Sequence, residues 1–212
     1  MVRDEHNRKM SKSLGNVLDP LEVSDKYGTD AVRMSLVVGA TAGNDLAVGE
    51  SKIKGYRNFA NKIWNVSRFV LANVNHESRS MNNGKSNLDS SFIIHNSAHK
   101  EQDQKDLDRL QEIIKSVTGH LDSFRFSQAG ETLYNYIWHE FADIIIEQSK
   151  DRLKGDDEKD KAAAQTKLLT ILTASLKMLH PFVPYVTESI WQQIPEGERD
   201  SKMLISAKWP KK

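Results

Sequence analysis

No cysteine occurs in the sequence, which excludes disulfide cross-links, thiolate metal ligands and thiol nucleophiles from this chain. Neither charge sign is in excess, since 30 Lys and Arg stand against 29 Asp and Glu for a net charge of +1. Without a global basic field, contact with a nucleic acid has to come from a local patch. No apolar run approaches the roughly 20 residues of a membrane span. The opening Met1-Val2-Arg3-Asp4-Glu5-His6 lacks the apolar segment of a secretion signal, so the expected compartment is the cytoplasm, with no membrane partner. The acids are scattered and form no carboxylate pair. His139 and His180 have no second ligand at useful spacing, so both are read as capping or packing residues and no metal site is expected. What remains is 212 residues, 38% of them apolar, enough for one or two domains with a real core.

Apolar spacing organises most of the chain into helices. Asp19-Pro20 reads as an N-cap and first helical residue, and Tyr27-Gly28 as the end of that short helix. Thr29 is expected to cap a second helix carrying Ala31, Val32, Met34, Leu36 and Val37. From about Glu50 to Asn73, residues Ile53, Tyr56, Phe59, Ala60, Ile63, Trp64, Val70 and Leu71 recur at helical steps. Residues 75–103 are polar and read as an irregular connector, with one helical turn around Phe92 at most. Periodicity returns over Leu107–Phe124, then in a helix capped by Ser127 that carries Leu133, Ile137, Phe141 and Ile145. Lys150 to Lys161 reads as a charged connector. A further helix starts near Ala162 and stops at His180-Pro181, and a last one opens at Pro184 and ends before Pro195. Met203–Ser206 is expected to be a short extended segment. No long strand-period run and no internal repeat appear, so the expected class is all-α. The expected divisions are 1–47, 48–195 and a tail, 196–212.

Two stretches carry chemistry. Lys9-Met10-Ser11-Lys12-Ser13, followed by Leu14-Gly15-Asn16, brings two compact ammonium groups together with hydroxyls and loop amides, a set suited to a polyphosphate. Gly15 allows the loop to bend close to a ligand. For an isolated pair of lysines a solvated basic turn is the plainer reading. The second stretch is the polar face of the 50–73 helix, with Arg57, Asn58, Asn61, Lys62, Asn65 and Arg68. It reads either as a solvated face or as a surface that follows phosphates and bases. Trp64, Trp138 and Trp191 are read as core, and Arg125 and Gln128 as weaker contact candidates.

Lys9 to Ser13 match the KMSKS signature letter for letter, and the chain resembles the class Ia aminoacyl-tRNA synthetases. Ser13–Pro20 continues as in that family, and Tyr27–Arg33 looks like its Gly-x-Asp-x-x-Arg segment. Gly55–Asn65 resembles the valyl branch more closely than the isoleucyl or leucyl branches. Trp138–Asp143 and His180–Pro184 fit the family's anticodon-binding helices. The resemblance does not extend over 75–103. It also departs at Ala142, Ile144 and Ile145, where the family often has Cys, Trp and Tyr.

The resemblance implies a KMSKS loop with a small helical unit that contacts the tRNA stem, followed by an anticodon-binding helical bundle. It implies that Lys9, Met10, Ser11, Lys12 and Ser13 bind ATP, which comes with Mg, and that Lys12 and then Lys9 act in catalysis. Arg57, Asn58, Asn61, Lys62, Asn65 and Arg68 would contact tRNA, in the valyl branch the valine-accepting tRNA. The nucleotide-binding half with its HIGH-type motif precedes the lysine loop in that family, yet only eight residues precede Lys9 here. The expectation is a C-terminal piece that binds tRNA, holds no cofactor tightly, does not catalyse alone and has the catalytic half as its partner. A free-standing RNA-binding module, the equivalent part of an isoleucyl or leucyl enzyme, and a helical scaffold without RNA function are the alternatives.

Overall fold

The computed structural model describes residues 2–40, 43–74 and 100–210. The suggested helical turn at Phe92 therefore lies outside the described residues. Helix dominates, as the apolar spacing requires. A two-residue strand β1 (Val2–Arg3) and a 3-10 turn (Lys12–Leu14) precede helices α1 (Pro20–Tyr27) and α2 (Thr29–Val37). Strand β2 (Leu46–Ala47) returns to pair parallel with β1. Helix α3 (Glu50–Asn73) follows, and its bounds are those expected from the sequence. Beyond it come α4 (Glu101–Asp122) and α5 (Phe126–Asn135). The latter runs through a π-helical stretch (Tyr136–Ile145) into α6 (Ile146–Lys154). Helices α7 (Glu158–Leu179) and α8 (Pro184–Trp191) complete the bundle. Among the described residues no helix is long and apolar enough to cross a membrane.

The main core is built from inward residues of α3 through α8, among them Phe59, Ile63, Leu107, Leu110, Leu133, Phe141, Leu172 and Trp191. A small second core, Val23, Ala31, Val48 and Ile53, lies under α1 and α2 against the start of α3. Helix α2 serves both, because Met34 and Val38 at its far end enter the main core. Close approach makes this possible: a Cβ at Gly130 on α5 would sit 2.7 Å from Val38 Cγ2.

Several boundaries differ from expectation, and one arrangement explains the two largest differences. Helix α4 starts at Glu101, inside the expected connector, and 150–161 is mostly helix, with Asp157 capping α7 by accepting from the Lys159 and Asp160 amides. Asp103, Arg152 and Asp160 in these segments turn inward. The Arg152 guanidinium grips Asp103 with two bonds of 2.6 and 2.9 Å and also reaches Asp160 at 2.9 Å. Lys167 Nζ lies 2.9 Å from Asp103 and 2.6 Å from Asp106. Charges on the inner face erase the apolar period that marks a helix elsewhere. The smaller differences are local. Gly28, not Thr29, occupies the cap position of α2. Helix α5 begins one residue before Ser127, whose hydroxyl accepts from the Gly39 amide at 2.8 Å and donates to Glu131. The 203–206 segment is not extended: Leu204–Ser206 forms a 3-10 turn, with Leu204 buried and its amide donating to Glu188.

Candidate nucleic-acid interface and lysine loop

One buried carboxylate holds the lysine loop from inside. Asp4 accepts from the His6 amide at 3.0 Å, the Arg8 amide and Nε at 2.8 Å each, and the Asn16 side-chain amide at 3.0 Å. Asn16 carries the connection onward: its Nδ2 also donates to the Lys9 carbonyl and its Oδ1 accepts from the Ser11 amide at 2.9 Å. The Asn16 bond, with help from Arg8, holds the Asp4 carboxyl well below the usual carboxylate range. Ser11 caps the short turn by accepting from the Leu14 amide, and Gly15 closes it at φ 61°, a left-handed conformation that side chains strain. Underneath, the β1–β2 pair and the Arg3–Asp45 ion pair tie the loop's base to the end of the helical unit. The loop thus has a fixed base and free tips. Lys9, Lys12 and Ser13 are exposed, and neither ammonium group has a hydrogen-bonding or ion-pair partner among the described residues. Two uncommitted cations beside hydroxyls suit a polyphosphate. The lysines stand out in the sequence and Asp4 does not, although its acceptance of amides two and four residues on is a turn pattern readable in principle.

Helix α3 shows the same contrast between committed and free groups. At 100° per residue, Arg57, Asn61, Trp64 and Arg68 fall within roughly 60° of arc, with Asn58, Lys62 and Asn65 on the adjoining strip. Arg57, Asn58, Asn61, Asn65 and Arg68 are exposed, and among the described residues their side chains make no hydrogen bond or ion pair. Lys62 differs: its ammonium is 2.7 Å from Asp143 and lies over the Trp138 ring. Trp64 and Trp138 are half-buried against the core, while Trp191 is fully buried and donates its indole N–H to the Ser201 carbonyl. His139 neither caps nor packs deeply, with a side chain 62% exposed. Arg125 and Gln128 lie exposed at the start of α5.

The segment Gly28–Arg33 binds the small helical unit to the bundle. The buried Asp30 carboxylate accepts from the Tyr185 and Val186 amides at 3.2 and 2.7 Å, capping α8 from another element. Arg33 donates to the Pro181 carbonyl at 3.0 Å and the Phe182 carbonyl at 3.4 Å. His180 meets Thr187 Oγ1 through Nδ1 at 2.9 Å. Burial pushes the Asp30 carboxyl up and the His180 imidazole down. Beside this junction lies an open cleft of about 620 Å³ between the α1–α2 corner, α3 and α8. Arg57, Asn61, Trp64 and Tyr185 are among the residues that line it. Among the described residues no cluster of metal-ligating side chains occurs.

A fixed loop with free lysines, joined to a helical bundle with an uncommitted polar face, is an arrangement with known relatives. The family described as the anticodon-binding domain of tRNA ligases matches residues 103–212, and the chain belongs to it. Residues 1–49 match the class I tRNA synthetases (I, L, M and V). Along nearly its whole length the chain is similar to valine–tRNA ligases. It is 42% identical over 210 residues to that of Petrotoga mobilis and 44% over 218 residues to that of Clostridium tetani, covering 99% of this chain in each case. It spans 22% of the length of each of these relatives. Its fold is similar to that of a LeuRS from Agrobacterium radiobacter K84 solved with tRNA and LeuAMS, with a TM-score of 0.69 and 24% identity over 99% of this chain and 23% of that one. It is also similar to Mycobacterium tuberculosis methionyl-tRNA synthetase in complex with methionyl-adenylate, with a TM-score of 0.64 and 19% identity over 89% of this chain and 36% of that one.

Proposed function

We propose that the chain is the tRNA-binding, anticodon-contacting part of a valine–tRNA ligase, which as a whole activates valine with ATP and charges its tRNA in the cytoplasm. The observation that carries the reading is the row of exposed, uncommitted guanidinium and amide groups on α3, at Arg57, Asn58, Asn61, Asn65 and Arg68. Guanidinium groups meet phosphates, and amides read the edges of unstacked bases. Lys62 joins this surface only if its bond to Asp143 opens. In this reading residues 1–47 contact the tRNA stem, 48–195 contact the anticodon, and 196–212 form the tail.

Lys12, and then Lys9, stabilise the negative charge that builds on pyrophosphate as it leaves the α-phosphate. Met10, Ser11 and Ser13 shape the loop around ATP, whose Mg travels with the phosphates. The loop acts against a nucleotide-binding half, its partner in the whole enzyme, and does not catalyse alone.

Titrating the chain with valine tRNA transcripts, native and anticodon-swapped, at two salt concentrations tests the binding reading. Preferential binding of the native anticodon, weakened by salt, is the expected result. Binding blind to the anticodon, or no binding, overturns it.

A further inference from the structure

We propose that the cleft between the α1–α2 corner, α3 and α8 is a subsite for one unstacked RNA base, with Trp64 and Tyr185 as its aromatic walls and Arg57 on the adjoining phosphate. The proposal rests on the tRNA-binding reading above and adds to it a place, a ligand unit and a residue from another helix.

The cleft opens on the same strip of α3 that carries the uncommitted groups, so a strand following Arg68, Asn61 and Arg57 passes its mouth. Its volume of about 620 Å³ falls in the range of roughly 300–1,000 Å³ that accepts small organic groups. Tyr185 leaves 64% of its surface in solvent, although its neighbours Ile190 and Trp191 on α8 are buried. Burial therefore does not account for an aromatic ring at this position. Trp64 lines the cleft from α3, half-buried, and the two rings make no stacking contact with each other. An aromatic face takes any base by stacking, and the Asn61 amide beside it offers both donors and an acceptor to a base edge.

The charges limit the ligand further. Lys26 is taken up by Glu50 at 2.8 Å, and the Asp30 carboxylate by the α8 amides. Arg57 is then the one lining cation outside an ion pair among the described residues, with Asp25 exposed nearby. A single uncommitted cation in the lining fits a single phosphodiester and a base. It does not fit a di- or triphosphate.

Tyr185→Ala should leave the fold intact, because the ring is exposed and the Asp30 cap is held by the backbone amide. The test is a fluorescence-anisotropy titration of the chain with a labelled valine tRNA transcript across several salt concentrations. Tyr185→Ala is expected to weaken binding roughly 10-fold, the effect of losing one stacked base, with an unchanged salt slope. Tyr185→Phe should keep affinity within about 2-fold, because the ring and not the hydroxyl stacks. Arg57→Ala should lower the salt slope by about one phosphate. Unaltered affinity in Tyr185→Ala, or equal losses in the Ala and Phe variants, overturns the base subsite. If Arg57→Ala weakens binding meanwhile, the tRNA reading survives that failure. Absence of binding by the parent chain overturns both.

Discussion

Lys12 and Lys167 carry the same ammonium group and have opposite fates. Lys12 stands on an exposed turn with no partner among the described residues. Lys167 is 1% exposed and held between Asp103 and Asp106, with Arg152 bound to the same Asp103. At one end of the molecule the framework, Asp4 and Asn16, fixes the backbone and leaves the cations to act on something else. At the other end the cations are consumed in holding α4, α6 and α7 together. A buried charge has to be neutralised where it lies, whereas an exposed one is available to a ligand.

The largest expected effect comes from breaking the buried end. Asp103→Ala leaves Arg152 and Lys167 without their shared acceptor and should cost about 3–5 kcal/mol in urea-induced unfolding. A loss below about 1 kcal/mol would mean that the network relaxes into water and the contrast is weak. The network should also fail in acid. Burial raises the Asp103 carboxyl, but the bonds from Arg152 and Lys167 together outweigh it and leave the group below its ordinary 3.8. Its stabilisation is therefore present above the unfolded value and lost as pH falls through the lower folded value.

Next in size is the junction between the two units. Asp30→Ala strips two amides at the start of α8 of their acceptor and should cost about 1–3 kcal/mol by thermal unfolding. His180 gives this corner a pH dependence of its own. Its folded pKa lies below 6.5, so the unfolded chain takes up the proton first, and stability should decline as pH falls below about 6.5. His180→Gln should flatten that decline, and an unchanged slope would remove His180 as its source.

A smaller and more local effect is expected at the loop. Asn16→Ala should raise the Asp4 carboxyl midpoint towards the ordinary 3.8, read by NMR titration of the side-chain carbon. A midpoint that does not move would show that Arg8 alone holds Asp4. Smallest of all, Lys12→Ala should leave stability within about 0.5 kcal/mol. A larger loss would mean that this lysine supports the fold and is not free for a ligand.

Helix α3 was legible because its apolar residues recur at helical steps even though Lys52 is half-buried and donates to the Val38 carbonyl, so its ends at Glu50 and Asn73 follow from the pattern. The start of α4 and the Lys150–Lys161 stretch were not, because Asp103, Arg152 and Asp160 occupy inward positions and read as solvent-facing. The lysine loop was legible as a motif, whereas Asp4 was not, since its role depends on Asn16 lying twelve residues away in sequence. The α3 face was legible as a set of polar residues, but its division into free Arg57 and Arg68 and committed Lys62 depends on Asp143, 81 residues further along the chain.

By itself the sequence determined the helical class, the lysine loop with its glycine bend, and the polar strip of α3. These follow from local spacing, which the helix repeat converts directly into faces. Only the tertiary structure decided which charges remain free, that Asp30 and Arg33 join the KMSKS unit to the bundle, and that Tyr185 from α8 shares a cleft with Trp64 from α3. Those outcomes depend on partners far apart in the chain, and burial, not residue type, sets whether a charge is neutralised inside or left for a ligand.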